Sequence, residues 1–442
     1  MYHVNVIVMK FGGSSVSDAS RIKAAGDIVR RRLAKQPVVV VSAFRGVTDE
    51  LLGLARDAQK GDLSRLAGIR KRHEDTADAL GVDRAMVEPL LAELADLAKG
   101  VSLLKELTPR TLDHAASFGE RLSSRLIAAS WAKAGLPARA VDASEAGLLT
   151  DARYGSATPL PEADAALKSS LGGAQDLPVV TGFIGRSPSG DIATLGRNGS
   201  DYSATILGAA LGAEVIEIWS DTDGVMTADP RLVPAAKPLA ELTFDEAGEL
   251  AYYGGKVLHP HTLVPAVRKG IPVSVLNTFK PDHPGTRIAP SRAGAGAGPR
   301  SIAFKRHLSV VTVKSPDMLL GWGFLARIFA AFARHEIVVD MVTTSEVTVS
   351  CTVDDPSRVD RAVSELGGEF SVTVETGRAV VCVVGEGLRD TPGLAAEVFG
   401  ALKDAGVNVL MISQGASKIN LAFVVADADV PGAVTALHRR FF

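Results

Sequence analysis

The residues beyond position 300 repeat themselves. A strand pattern at His307–Val313 leads to Gly323, which opens a helix with Phe324, Ile328 and Phe332 on one stripe; strand patterns at Ile337–Val342 and Val347–Val353 follow. The second copy runs Val380–Val384, then Gly393 opening a helix striped by Leu394, Val398 and Leu402, then Val407–Ile412 and Ile419–Val425. Matching points (Gly323 and Gly393, Ile337 and Val407, Val347 and Ile419) lie 70, 70 and 72 residues apart. The last strand of each copy alternates with period two, as Val347, Val349, Cys351, Val353 and as Ile419, Leu421, Phe423, Val425. Composition alone cannot produce such a duplication. It commits this part of the chain to two β-α-β-β units forming a paired small-domain module.

Ahead of the repeat, Pro290–Pro299 is rich in Gly, Ala, Pro and Ser without apolar periodicity, and reads as a linker. Before it, Val4–Met9, Val38–Val41, Val179–Ile184, Val215–Trp219 and Ile271–Leu276 read as strands, nearly continuous apolar runs suited to burial on both faces. Helical patterns such as Ala19–Leu33, Leu112–Ala134 and Tyr202–Leu211 lie between them. This alternation predicts an α/β fold with a mostly parallel sheet flanked by helices, whose ligands bind at the carboxyl ends of strands. The expected division is a catalytic domain over 1–289, a linker over 290–300 and a regulatory pair over 301–442, with copies at about 301–372 and 373–442.

With 46% hydrophobic residues, the 442-residue chain can build large cores, and its formal net charge of −2 gives no global pull toward nucleic acid or an anionic membrane. Met1–Met9 is too short an apolar run for a signal peptide or a membrane span, which points to the cytoplasm. Cys351 and Cys382 fit neither a zinc motif nor a disulfide framework and read as small core residues. Any anion site must therefore be local.

Three glycine-rich turns follow predicted strands. Lys10-Phe11-Gly12-Gly13-Ser14-Ser15 offers close backbone approach to a phosphate beside a full positive charge. Ser42-Ala43-Phe44-Arg45-Gly46-Val47-Thr48 offers small and hydroxyl residues; helix capping by Ser42 or Thr48 is the plainer explanation. Thr194-Leu195-Gly196-Arg197-Asn198-Gly199-Ser200-Asp201 places Arg197, a planar fork suited to a carboxylate, between two glycines, and its Ser200 and Asp201 fit a helix cap. Asp221, in Trp219-Ser220-Asp221-Thr222-Asp223-Gly224, stands where it could meet a nucleotide or Mg²⁺, or simply close an Asx-turn. Glu120 taken alone would be a solvated helix charge. There is no Walker loop, no strand-linked G-x-G-x-x-G and no protein-kinase signature set.

Together these segments resemble the aspartokinases of the amino-acid kinase superfamily over nearly the whole chain. The resemblance is carried by Lys10-Phe11-Gly12-Gly13-Ser14-Ser15-Val16, Thr194 to Asp201 and Lys256-Val257-Leu258-His259-Pro260. Phe324-Leu325 and Thr343-Thr344-Ser345-Glu346-Val347 are similar to the regulatory region of the lysine-sensitive monofunctional class, and the repeat resembles its tandem ferredoxin-like ACT domains. The resemblance implies Lys10 and Asp201 as catalytic residues. It implies an aspartate pocket of Ser42, Ala43, Thr48, Glu120, Phe183, Arg197, Gly199 and Ser200, with Arg197 on the α-carboxylate and Glu120 on the α-ammonium. ATP and Mg²⁺ are implied as cofactors, with Lys10, Gly12, Gly13, Ser220, Asp221, Arg231 and Lys256 toward the nucleotide and no assigned protein metal ligand; His259 would stabilise its loop. An amino-acid effector, lysine in the related class, is implied at Met318, Gly323, Phe324, Leu325, Val339, Asp340, Ser345 and Glu346, with a homodimer or homotetramer built through the ACT domains. Ser14 departs from a common Thr, Asn198 from a common Gly and Met226 from a frequent aromatic; Leu320-Gly321-Trp322 replaces more polar residues.

Other acceptors within the superfamily are glutamate, N-acetylglutamate or a nucleotide. Pairing Arg197 with Glu120 favours a free α-amino acid over an acetylated one. A non-catalytic amino-acid sensor is the alternative from another class, and the joint presence of Lys10, Glu120, Arg197 and Asp221 argues against it.

Overall fold

The computed structural model describes residues 6–255, 259–292, 296–319, 321–354, 356–414 and 418–442. They form two compact units, one of Met1–Val225, Ala240–Phe244 and Val257–Arg292, the other of Met226–Leu239, Asp245–Lys256 and Ala293–Phe442.

The first unit has an eight-stranded sheet. Its strands are β1 (Ile7–Phe11), β2 (Pro37–Val41), β3 (Ala138–Val141), β4 (Leu177–Thr181), β7 (Val215–Ser220), β8 (Glu241–Thr243), β9 (Val273–Asn277) and β10 (Thr286–Ala289); β5 (Ile184–Arg186) and β6 (Ile192–Thr194) make a separate hairpin. The order is β3-β4-β2-β1-β7-β9-β10-β8, parallel except for the β9–β10 pair. Every residue of β1, β2 and β4 is buried, as the continuous apolar runs require when helices cover both faces. The mostly parallel α/β architecture is thus as expected.

Two details differ from the expected strands. Lys10 and Phe11 are the last residues of β1 rather than the start of the turn after it. The run Val179–Ile184 breaks at Gly182-Phe183, because Phe183 takes a left-handed φ of 70° and Ile184 starts the hairpin instead.

The second unit holds a six-stranded antiparallel sheet: β11 (Ser301–Lys314), β12 (Val339–Thr344), β13 (Thr348–Val353), β14 (Ser371–Val384), β15 (Met411–Ser413) and β16 (Asn420–Ala426), in the order β12-β13-β11-β14-β16-β15. The duplication survives as two apolar cores. Gly323 and Gly393 occupy the same place in each copy: both precede a helix at φ 83°, a conformation that favours glycine. The long central strand β11 serves both cores, sending Ile302 into one and Val311 and Val313 into the other. The stretch Val407–Ile412 pairs as a strand only from Met411. From Gly298 the glycine-rich stretch is already tied down, with Gly298 N–H donating to Glu386 O at 2.9 Å and Arg300 N–H to Val384 O at 2.7 Å. Cys351 and Cys382 are fully buried in β13 and β14, and burial raises both thiols, Cys351 to about 12. Among the described residues no helix is long and apolar enough to cross a membrane.

Behind the second glycine turn, the helix Arg65–Leu80 buries Ile69, His73, Ala77 and Leu80 along one stripe. His73 Nδ1 lies 2.8 Å from the Ile69 carbonyl, so it carries the proton; Nε2 has no partner, and the ring stacks on Phe44 at 5.5 Å. Burial lowers its pKa to about 4. The unfolded chain therefore binds a proton here near pH 6.5 that the folded chain refuses. The full stability is present above pH 6.5 and falls as the pH drops toward 4, by about 3 kcal/mol over the whole window. We predict that His73→Leu removes about 2 kcal/mol of the stability lost between pH 8 and pH 5. Urea unfolding at the two pH values measures this, and an unchanged loss in the variant would contradict it.

Candidate active site

Strand β1 is central in the sheet, paired in parallel with β2 on one side and β7 on the other. The turns leaving β1, β2 and the β5–β6 hairpin meet at one end of it, around a cleft of about 660 Å³. Of the residues proposed above, Lys10, Gly13, Ser42, Ala43, Thr48, Glu120, Phe183, Arg197, Gly199, Ser200 and Asp201 line this cleft together.

The capping explanations do not hold. The helix Val47–Ala58 starts after Gly46 at φ 83°, with no side-chain cap from Ser42 or Thr48. The helix Gly199–Leu211 starts after Asn198, itself left-handed at φ 56° and without a side-chain cap. Asn tolerates that region better than most residues, which accounts for a position where Gly is common. Ser200 and Asp201 fall in the first turn of the helix, at the end whose dipole favours an anion.

Lys10 Nζ lies 2.5 Å from Asp201 Oδ1, an ion pair in which each side chain is only 10% exposed. Although in contact, Asp201 Oδ1 lacks the alignment of a hydrogen bond. The glycines leave no spare room: a Cβ on Gly12 would sit 3.3 Å from Lys10 Nζ, and one on Gly13 would sit 2.8 Å from Ala43 O. A Cβ on Gly199 would meet the Phe183 ring at 2.6 Å. A side chain at Gly13 or Gly199 would collide with fixed neighbours, while Gly12 brings bare backbone beside the Lys10 ammonium, as a phosphate cradle requires.

Glu120 is not the surface charge that its isolated position in the sequence suggested. It lies on the helix Pro109–Lys133, almost fully buried at 3% exposure. Oε1 accepts from Ala43 N–H at 3.1 Å, while Oε2 has no partner. Burial pushes the carboxyl up to about 8, against the opposing pull of the Ala43 N–H and the Lys10 charge. A buried oxygen left open at a cleft wall is costly unless something donates to it. Arg197 is exposed, and its guanidinium is not held by any of the ion pairs among the described residues.

The nucleotide group is less gathered. Ser220 ends β7 and Asp221 follows it, just beyond the point where Trp219 pairs with Phe11 of β1. Ser220 Oγ, not Asp221, closes the local turn by accepting from Thr222 N–H at 3.4 Å. Arg231 falls in the other compact unit and pairs with Asp229. Lys256 lies outside the described residues, as does Leu320. In the second unit a separate cleft of about 270 Å³ is lined by Met318, Gly323, Phe324, Leu325, Ser345 and Glu346, together with Gly321. Val339 and Asp340 are not on its lining; the Asp340 carboxylate is turned instead to Lys305 Nζ at 2.9 Å and Tyr252 Oη at 2.8 Å. Trp322 is 90% exposed.

Reading the sequence missed Asp113 and Phe44, both on the active-site cleft. For Asp113 a signal existed: it precedes Glu120 by seven residues, two turns of one helix.

Residues 5–277 match the amino acid kinase family, and residues 311–370 and 381–441 match the ACT domain. The chain is 40% identical to chloroplastic aspartokinase 1 of Arabidopsis thaliana, over 98% of this chain and 80% of that one. It superposes on the structure of Escherichia coli aspartokinase III in complex with aspartate and ADP, with a TM-score of 0.86 and 36% identity over 99% of both chains. The same E. coli protein in complex with lysine and aspartate gives a TM-score of 0.79 over the same coverage.

The open Oε2 of Glu120 has a measurable consequence. A ligand ammonium placed against it favours the ionised carboxylate, whereas burial, which pushes the carboxyl of the empty site up to about 8, favours the proton at pH 7. Binding an amino-bearing ligand should release about 0.9 proton per site at pH 7. Calorimetric titration in two buffers of different ionisation heat reads this number; binding without proton release would remove Glu120 from the ammonium site.

Proposed function

The chain belongs to the amino acid kinase family and, within it, to the aspartokinases; on that premise we propose that it transfers the γ-phosphoryl group of ATP to the side-chain carboxylate of L-aspartate, giving 4-phospho-L-aspartate. The observation that carries this reading is the joint placement of Arg197, Glu120 and Lys10 on one cleft. A planar cation suits an α-carboxylate, an unpartnered buried carboxylate suits an α-ammonium, and a buried lysine suits a phosphoryl group.

The acceptor carboxylate is already ionised at pH 7, so no general base is required. An acceptor oxygen forms a bond to the γ-phosphorus as the bond to the leaving ADP oxygen breaks. The difficulty is bringing two anions together, and the protein's part is positioning and charge neutralisation. Lys10 faces the transferred group, with Asp201 holding its ammonium in place. Gly12 and Gly13 keep backbone close to the phosphates, and Ser220 and Asp221 lie toward the nucleotide, with Arg231 and Lys256 assigned there by family likeness. Mg²⁺ bound with the nucleotide would supply further charge neutralisation, and the exposed carboxylate of Asp221 would be the protein group to meet it, since such an ion takes only one or two protein ligands. Ser42, Ala43, Thr48, Phe183, Gly199 and Ser200 shape the acceptor pocket.

The same reading makes the enzyme the first step toward lysine, threonine and methionine, acting in the cytoplasm. Catalysis belongs to 1–289, and regulation to 301–442 across a 290–300 connection. An amino-acid effector, lysine in the first instance, binds the cleft of Met318, Phe324, Ser345 and Glu346, with Val339 and Asp340 joining when Asp340 leaves its internal partners. Assembly as a homodimer or homotetramer uses the outermost strands of the six-stranded sheet. There Val342 of β12 and Ile412 of β15 are exposed, as are Val338 and Leu410 beside them.

ADP release measured with aspartate, glutamate and N-acetylglutamate tests the acceptor: turnover should be confined to aspartate, and preference for N-acetylglutamate would overturn the reading. Lys10→Ala should lower kcat by about 10²–10³-fold with little change in the aspartate KM. Arg197→Ala should raise the aspartate KM by roughly 10–100-fold with kcat nearly kept. Equal effects on both parameters in both variants would contradict the separate roles.

A further inference from the structure

Asp113 and Glu120 stand two turns apart on the helix Pro109–Lys133, on the same face, and both line the active-site cleft. Their oxygens are used in opposite ways. Glu120 leaves Oε2 open. Asp113, at 4% exposure, spends both oxygens on the loop opposite: Oδ2 accepts from Thr194 N–H at 2.7 Å and Gly155 N–H at 2.8 Å, and Oδ1 from Thr194 Oγ–H at 2.8 Å. Burial raises the carboxyl above its ordinary value, with these donors pulling the other way.

The bonded segment leads directly into Gly196 and Arg197. It is held from two further directions, by Ala157 N–H donating to Thr194 O and Leu195 N–H donating to Phe183 O, both at 2.8 Å. Gly196, at φ 77°, lies so close to Gly155 that a Cβ would sit 3.0 Å from its carbonyl. One rigid helix therefore carries the carboxylate open to an ammonium and anchors the loop that presents the guanidinium.

We infer that Asp113 is a positioning residue that sets the distance between Glu120 and Arg197, and so matches the cleft to the spacing of the two groups on an α-amino acid. This rests on the proposed acceptor, and wild-type turnover of aspartate is its control: an inactive wild type counts against the acceptor, not against the clamp. A plain loop anchor would weaken every substrate and act independently of Arg197. A positioning clamp acts through Arg197 alone.

The test is a double-mutant cycle in the full chain, with kcat and both KM values measured. Asp113→Ala should raise the aspartate KM by about 10-fold while the ATP KM stays within about 2-fold, and in an Arg197→Ala background it should add less than about 2-fold. Asp113→Asn keeps an acceptor for both N–H groups and a donor for Thr194 Oγ, so it should restore the aspartate KM to within about 3-fold. Should Asp113→Ala not fold, Thr194→Val removes one donor only and should raise the aspartate KM by about 3-fold, again only when Arg197 is present. An effect of equal size with and without Arg197, a parallel rise in the ATP KM, or an unchanged aspartate KM would each overturn the inference.

Discussion

The 2.5 Å ion pair between Lys10 and Asp201 joins residues far apart in the first unit's sequence, one in its first strand and the other in the helix Gly199–Leu211. It exists only because β1 is central in a parallel sheet and because the helix Gly199–Leu211 begins at the same sheet end. A parallel sheet delivers the carboxyl ends of β1 and β2 to one side, where their two glycine turns converge, and the separate β5–β6 hairpin brings the third turn to the same end. Each buried ionisable group in that convergence needs a partner, a ligand or a proton. Lys10 has Asp201, Asp113 has three donors, and Glu120 has one donor and one open oxygen. A chain with almost no net charge can thus hold a strongly polar cleft.

Parts of this were legible in the sequence for definite physical reasons. Strands buried on both faces must be apolar throughout, and those runs placed the sheet. Gly323 and Gly393 mark positive φ, which few other residues adopt, so the repeat's helix starts stood out. Arg197 between two glycines had no ordinary structural explanation, and it lines the cleft. Glu120 was invisible by itself, since a lone acid on a helix reads as a surface charge; only the packing of Pro109–Lys133 shows its burial. Asp113 gave only its helical spacing from Glu120, because two of its three donors are backbone amides about 40 and 80 residues away, which carry no side-chain signature. The break at Phe183 was equally unreadable: nothing in an apolar run announces a left-handed aromatic residue.

The second unit has its own division of charge. Asp340, which family likeness assigns to an effector, is occupied by Lys305 and Tyr252, while Ser345 and Glu346 remain on a small cleft beside Phe324. An effector ammonium would have to displace an internal one of the same sign and size. Such a competition between two arrangements of one carboxylate is the kind of two-state element through which a ligand can bias an equilibrium.

In the proposed reaction a carboxylate, not a hydroxyl or an amine, receives the phosphoryl group, and it is the side-chain carboxylate of aspartate. An acyl phosphate is attacked by hydroxylamine to give a hydroxamate, which neither a phosphate ester nor a phosphoramidate does. Incubating the full chain with ATP, Mg²⁺, aspartate and hydroxylamine should yield aspartate β-hydroxamate in step with ADP. ADP formed without hydroxamate, or hydroxamate at the α-carboxylate, would contradict the account.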